Sequence, residues 1–191
     1  MTKFKLGVII GSNRRDSINR KLAQALIKLG ADRFDASVIR IDDLPLYNQD
    51  LEADLPETVA RFKARIAEAD AILFVTPEHS RSIPAVLKSA IDWGSRPWGK
   101  NSWIGKLAAV TGATPGTVGT AVVQQHLRSV LGDLGVLVMG GEAYITFKPE
   151  TVDADDNIPD ASVRTFLKNY LDQLATLTAK LADKVAPRAA A

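Results

Sequence analysis

Short apolar segments alternate with helical segments along almost the whole chain, and this alternation is the feature that most restricts its fold. The strand-like segments are mostly aliphatic without polar alternation, which is typical of strands covered on both faces. They are Lys5–Ile10, Ser37–Ile41, Ala71–Thr76, Leu107–Thr111 and Val136–Met139. Strand and helix alternating five times predict a parallel sheet with right-handed crossovers and helices on both faces.

Between the strands, apolar residues recur at helical spacing. Residues that share one face of a predicted helix are Ile18, Leu22, Leu26 and Leu29; Val59, Phe62 and Ile66; Val123, Leu127, Val130 and Leu134; and Val163, Phe166, Tyr170, Leu174, Leu177 and Leu181. Pro84, at the start of "PAVLKSAIDW", is expected in the first turn of a further helix, because a missing N–H costs nothing there.

Length and charge place limits on function. A chain of 191 residues with 46% hydrophobic content can bury one sizeable core, so residues 1–191 are predicted to form one domain, with 186–191 as a disordered tail. The net charge of +2 favours neither nucleic acid nor membrane as a partner. Cysteine is absent, which excludes disulfide and thiol chemistry. With no recognisable export signal, a cytoplasmic location is expected.

Ligands of such a sheet bind beyond the carboxyl ends of its strands, so the loops after strands one, three and four are the ones to examine. The first of them, "GSNRRDSIN", offers a glycine, small polar residues, arginine and a helix N-terminus, which together suit a phosphate. It lacks the lysine of a nucleotide triphosphate loop and the spaced glycines of a dinucleotide fingerprint. An ordinary helix start capped by Ser17 or Asn19 is the alternative interpretation.

Four segments, in order, resemble the NADPH-dependent FMN reductase family, a flavodoxin-like group that includes bacterial quinone and chromate reductases. They are "GSNRRDSIN", "LPLYNQD", "TPEHSRSIPAVLKSAIDW" and "GATPGTVGTAVVQQHLR". The resemblance implies a doubly wound α/β sandwich with a five-stranded parallel sheet of order 2-1-3-4-5. It also implies tightly bound FMN, with NADH or NADPH as co-substrate.

The resemblance assigns FMN contacts to three groups of residues. The phosphate group would be held by Ser12, Arg14, Ser17, Ile18 and Asn19. The isoalloxazine ring would lie along Pro77, Glu78, His79 and Ser80, chiefly through backbone groups, with Ser82 nearby. Gly112, Ala113, Thr114, Gly116 and Thr117 would flank the other side of the ring. No side chain is expected to be catalytic and no metal is expected, because the flavin carries the chemistry.

The implied activity is a two-electron transfer from NAD(P)H through FMN to a quinone or a similar acceptor, with chromate, azo compounds and free flavin as further possibilities. Relatives of this kind also pair, so a dimer or tetramer is expected. The alternative is a flavodoxin-like electron carrier without turnover of its own. Such carriers are usually strongly acidic, and this chain is not.

Several positions depart from the family pattern. Family members often have Tyr-Asn at His79-Ser80, and glycine at Thr120 and at Asp16, so Arg15 is expected to offset the charge of Asp16. His79 either titrates with the flavin or is an exposed loop residue. His126 is interpreted as structural, with a subunit contact as one option. Three tryptophans occur in one segment: Trp93, Trp98 and Trp103. They either line a substrate cleft or a subunit interface, or they fill the core. Core filling is most plausible for Trp103.

Overall fold

A computed structural model describes residues 3–185, and the predicted tail at 186–191 lies outside the described residues. Within this range six strands form one parallel sheet in the order β2-β1-β3-β4-β5, with β6 paired to β4. The strands are β1 Phe4–Ile10, β2 Phe34–Val38, β3 Ala71–Val75, β4 Leu107–Thr114, β5 Leu137–Val138 and β6 Ala143–Thr146. The predicted flavodoxin-like, doubly wound order 2-1-3-4-5 is confirmed.

Helices cover both faces of this sheet. They are α1 Ile18–Leu29, α2 Glu57–Glu68, α3 Ala85–Ser95, α4 Ala121–Asp133 and α5 Ala161–Val185, with a short 3-10 helix at Gln49–Leu51. Helices α1 and α5 pack on one face, where Val8 of β1 is buried. Helices α2, α3 and α4 pack on the opposite face, where the next residue along β1, Ile9, is buried. The alternation of side chains along each strand therefore builds two cores from one sheet.

The second strand lies three residues earlier than predicted. It begins at Phe34, which pairs with Phe4, and ends at Val38. Ile39 and Ile41 are buried, which is why the sequence pattern placed them in the strand. The N–H group of Ile39 still donates to the Val8 carbonyl at 2.9 Å, so the chain leaves the sheet gradually.

The predicted fifth strand, Val136–Met139, corresponds to β5, and β6 follows it as a strand that was not predicted. Strand β5 pairs with Leu107 and Ala108 of β4, and β6 pairs with residues 111–114 further along the same strand. The chain turns between them at Gly141, whose φ of +87° suits glycine. The guanidinium of Arg128 in α4 donates to the carbonyl oxygens of Met139 and Gly141, at 2.6 Å each, and so holds this break in place.

Two helix predictions need correction. Pro84 immediately precedes α3 in an extended conformation instead of lying in its first turn. In α5, Phe166 is 45% exposed, and Leu167 and Leu171 are fully buried. The other predicted residues of this stripe are buried in or packed against the core, so the predicted face is right except at Phe166: Val163, Tyr170, Leu174, Leu177 and Leu181.

Candidate functional site

Three loops meet at the carboxyl edge of the sheet: the β1 loop (residues 11–17), the β3 loop (76–84) and the β4 loop (115–120). They enclose a cleft of about 290 Å³, here called the edge cleft. Its lining residues are Gly11, Ser12, Asn13, Arg14, Ser17, Ile18, Asn19, Pro77, Glu78, His79, Val86, Ala113, Thr114 and Pro115. A second cleft of about 310 Å³ lies between β6 and the start of α5, and its lining includes no residue of these loops.

Most of the residues assigned to FMN thus gather around one cleft. The assigned residues that do not line it are Ser80, Ser82, Gly112, Gly116 and Thr117. Sequence reasoning missed Asn13, Val86 and Pro115 as lining residues. Asn13 and Pro115 lie inside the quoted loops and could have been included on that ground, whereas Val86 points to the cleft only because α3 begins beside it.

The β1 loop ends in a capped helix. Ser17 has an extended backbone, and its hydroxyl accepts a hydrogen bond from the Arg20 N–H at 3.3 Å. The alternative interpretation of this segment, as a helix start capped by Ser17, is therefore confirmed. A cap does not exclude an anion, because the N–H groups of Ile18 and Asn19 in the first turn have no carbonyl partner within the helix.

Positive charge is concentrated at this end of α1. Arg14 and Arg15 precede the helix, Arg20 lies in its first turn, and the first turn contains no acidic residue. Within residues 3–185 none of the three guanidinium groups makes a hydrogen bond or a salt bridge to another side chain, and an offset of the Asp16 charge by Arg15 stays a prediction. The helix dipole already disfavours cations at an N-terminus. The arrangement is consequently suited to an anion.

Asn19 connects two walls of the edge cleft. Its buried side-chain amide donates to the Ala113 carbonyl at 2.9 Å and accepts from the Ala113 N–H at 2.8 Å. This pair of bonds fastens the start of α1 to the end of β4. A direct contact of Asn19 with phosphate stays a prediction.

The β3 loop forms a tight hairpin between His79 and Ser82, whose backbones exchange two hydrogen bonds of 3.1 and 2.8 Å. Ser80 and Arg81 at its tip have φ values of +48° and +63°. Such values are uncommon for residues other than glycine and asparagine. The family's usual asparagine at position 80 would suit this backbone better than serine does. His79 is exposed and lines the cleft.

Two side chains tie the β3 loop to α4. The Glu78 carboxylate accepts from the Val123 N–H at 3.1 Å and from the Arg81 guanidinium at 2.9 Å. The Ser82 hydroxyl lies 3.0 Å from Nδ1 of His126. The resemblance implied backbone contacts for Glu78, and it gave no indication of this role for its side chain.

Two glycines allow the central strands β1 and β4 to approach β3 closely at their carboxyl ends. A Cβ on Gly112 would lie 1.9 Å from the Thr76 carbonyl oxygen, and one on Gly11 would lie 2.5 Å from Thr76 Oγ1. Gly112 is therefore required by the contact between β3 and β4, and it lies behind the cleft. Thr120, where the family has glycine, has a φ of +68°.

The three tryptophans lie away from the edge cleft. Trp93 and Trp103 are fully buried, so core filling describes both, whereas Trp98 is 88% exposed. The ammonium of Lys63 donates to three carbonyl oxygens in the loop that carries Trp98, those of Gly94, Arg96 and Lys100. Burial lowers the pKa of Lys63.

The described part of the chain contains neither a cluster of metal-binding side chains nor a membrane-spanning helix. No group of three or more His, Asp or Glu side chains there could hold a metal ion. None of its helices has the length and apolar character needed to cross a membrane.

A 2-1-3-4-5 parallel sheet, with a cleft at its carboxyl edge where the strand order reverses, defines a flavodoxin-like protein. Residues 4–150 match the family described as NADPH-dependent FMN reductase. The chain belongs to this family.

Individual relatives agree with that assignment. A 2-hydroxy-1,4-benzoquinone reductase of a Burkholderia species is 45% identical over 90% of this chain and 94% of its own. A quinone reductase of Pseudomonas putida is 41% identical over 91% of this chain and 94% of its own. Among solved structures, the flavoenzyme NAD(P)H:(acceptor) oxidoreductase FerB of Paracoccus denitrificans has a TM-score of 0.90 and 43% identity, covering 93% of this chain and 98% of that one.

Proposed function

We propose that this protein is an FMN-dependent NAD(P)H oxidoreductase that passes two electrons to quinones. The observation that carries the proposal is the edge cleft itself, which the N-terminus of α1 and Arg14 line on one side and the β3 and β4 loops line on the others. The names of the relatives support the same chemistry. The whole chain is proposed to act as one FMN-binding domain.

Different residues of the edge cleft contact different parts of FMN in this proposal. Arg14 supplies a charge-assisted hydrogen bond to the phosphate, Ser12 and Ser17 supply neutral ones, and the first-turn N–H groups of α1 complete the shell. The backbone of residues 77–80 would hold one side of the isoalloxazine ring, and residues 112–117 would hold the other. The chemistry supplied by bound FMN would be hydride uptake from NAD(P)H and transfer of two electrons to the acceptor.

The protein's own contribution is placement and electric field. The backbone N–H groups beside the pyrimidine edge of the ring stabilise negative charge there. The open side of the cleft receives one planar partner at a time, so the nicotinamide leaves before the acceptor enters. No side chain of the cleft is assigned a proton-transfer role.

Three finer statements belong to the same proposal. Chromate, azo compounds and free flavin are further acceptors, because a stacking site with few specific contacts accepts several oxidants. The chain self-associates as a dimer or tetramer, which sedimentation at several concentrations tests. The protein works in the cytoplasm, where NAD(P)H is available, and cell fractionation tests this.

The purified protein provides the central test. We expect a yellow protein that releases one FMN per chain on denaturation, is bleached anaerobically by NADH or NADPH, and regains its colour when a quinone is added. Initial rates at varied concentrations of both substrates should follow ping-pong kinetics. A colourless protein that also fails to bind added FMN would overturn the proposal. One-electron exchange without oxidation of either nicotinamide would instead support the electron carrier.

A further inference from the structure

Helix α4 lacks a cap from its own sequence. Thr120, the residue before it, has a left-handed backbone and makes no capping hydrogen bond with its side chain. Its hydroxyl accepts a hydrogen bond from the Gln124 side chain at 3.0 Å instead. The first turn of α4 also contains no acidic residue. The N–H group of Ala121 donates to the Val118 carbonyl at 3.1 Å, but the N–H group of Val123 finds its acceptor in another part of the chain.

Glu78, in the β3 loop, supplies the missing acceptor. Its Oε2 accepts from the N–H of Val123, the third residue of α4, at 3.1 Å, across 45 positions of sequence. The Glu78 side chain is only 11% exposed. A carboxylate at a helix N-terminus complements the helix dipole, and its hydrogen bond is stronger than that of a neutral acceptor.

The other oxygen of Glu78 is engaged within the loop. Its Oε1 accepts from the Arg81 guanidinium at 2.9 Å, across the tip of the hairpin. Glu78 is also the acidic member of the edge-cleft lining. Both oxygens are thus occupied by the helix and by Arg81, and the side chain's function here is to join two pieces of backbone.

We propose that Glu78 is a positioning residue for the flavin ring, acting through α4. The bond to Val123 holds the β3 loop in the one conformation in which its backbone can lie along the isoalloxazine ring. Without that bond, the loop must be ordered at the moment of binding, and flavin affinity falls accordingly. The inference rests on the proposed function, because it concerns the same cleft.

Three substitutions separate the hydrogen bond from the charge. Glu78→Ala removes the acceptor, Glu78→Asp keeps the charge but is one methylene too short to reach Val123, and Glu78→Gln keeps an acceptor at the right distance without the charge. Arg81→Ala is the matched control, because it removes only the exposed ion pair. Apoprotein of each variant is titrated with FMN and with riboflavin, and its helix content is checked by circular dichroism.

For Glu78→Ala and Glu78→Asp we expect about tenfold weaker binding of both flavins, the usual scale for one charge-assisted hydrogen bond. Glu78→Gln should lose less than Glu78→Asp, because it keeps a neutral hydrogen bond to Val123, and Arg81→Ala should stay within about threefold of the wild type. Equal losses for FMN and riboflavin identify the ring side of the cleft, because riboflavin lacks the phosphate. The Asp variant keeps the test decisive if the Ala variant does not fold.

Three results would overturn the inference: wild-type affinity in Glu78→Asp, a loss as large in Glu78→Gln as in Glu78→Asp, or a loss confined to FMN. Wild-type protein in the same titration separates the two proposals. If wild type binds flavin and Glu78→Asp binds it equally well, the role of Glu78 alone is wrong. If wild type binds neither flavin, the proposed function falls and the role of Glu78 falls with it.

Discussion

The hydroxyl group of Tyr170 in α5 takes the place of a missing strand partner beside Val110 of β4. It donates to the Val110 carbonyl at 2.9 Å and accepts from the Val110 N–H at 3.2 Å. Strand β5 pairs with β4 only before this residue and β6 only after it, which leaves Val110 opposite the break between them. Burial raises the pKa of the Tyr170 hydroxyl, so it stays protonated at neutral pH and can act as donor.

Tyr170→Phe should destabilise the protein without changing the shape of its core. The substitution leaves a buried N–H and a buried C=O of Val110 unpaired, which costs about 1–3 kcal/mol of unfolding free energy. Urea denaturation measures the loss. Tyr144→Phe is the control, because that hydroxyl bonds to the exposed Gln125 side chain and should cost less than about 0.5 kcal/mol. Equal effects in the two variants would contradict the role given to Tyr170.

Gly112→Ala should disturb both the sheet edge and the edge cleft. The new methyl group would lie 1.9 Å from the Thr76 carbonyl, so β3 and β4 must separate where their loops begin. We expect a loss of about 1–3 kcal/mol in unfolding free energy, as for other overpacked sites, together with weaker FMN binding. Gly132→Ala, in α4 and with nothing near its Cβ, should instead gain about 0.5–1 kcal/mol and leave flavin affinity unchanged. Unchanged unfolding free energy and FMN affinity in Gly112→Ala would contradict this prediction, because they would show that β3 and β4 can separate there without cost.

Asp172 should contribute stability that disappears in acid. Its hydrogen bond from Lys168, with a second from Arg33, lowers the pKa of its carboxyl group, despite partial burial that acts the other way. Because the folded-state pKa is the lower one, the contribution is complete above about pH 4, the pKa of an unfolded aspartate, and is lost as the pH falls below that value.

Urea denaturation of wild type and Asp172→Asn at pH 7, 5, 4 and 3 tests this. The variant should be less stable by at most about 1 kcal/mol at pH 7, because the ion pair is partly exposed. The difference should shrink from pH 4 to pH 3. A constant difference for Asp172→Asn would contradict the assignment.

The parallel sheet could be predicted from the local pattern and its strand order from the family resemblance, but the ends of the strands could not be predicted. Five apolar segments between amphipathic helices specify a parallel sheet by local pattern alone. Ile39 and Ile41 show the limit, since they are buried against α2 yet lie outside β2, and burial does not report which residues pair. Strand β6 was missed because its pairing depends on Arg128 and Tyr170, which are distant in sequence.

The same distinction applies to the site. The phosphate site proposed for the β1 loop is built from neighbouring residues, so a local pattern was enough to suggest it. The contacts that shape the edge cleft join Asn19 to Ala113 across 94 positions and Glu78 to Val123 across 45. Such side-chain to backbone bonds leave no periodic signal. The resemblance assigned Asn19 and Glu78 to flavin contacts, which stay predictions, and gave no indication of these structural bonds.

Arg14→Ala should weaken FMN and spare riboflavin. If the β1 loop holds a phosphate dianion, Arg14 provides its charge-assisted hydrogen bond, whose loss costs about 1.5–3 kcal/mol, or roughly ten- to hundredfold in affinity. Ser17→Ala should lose less, because it removes a neutral hydrogen bond and a helix cap. Titration of each apoprotein with both flavins measures these differences.

Arg15→Ala is the matched control for Arg14. The two arginines are adjacent and exposed, but only Arg14 belongs to the lining of the edge cleft. A general effect of net charge would weaken FMN equally in both variants, whereas a direct contact weakens it in Arg14→Ala far more. Equal losses of FMN and riboflavin in Arg14→Ala would mean that the loop only shapes the cleft. Unchanged affinity for both flavins would leave "GSNRRDSIN" as a helix cap and move the phosphate to another part of the edge.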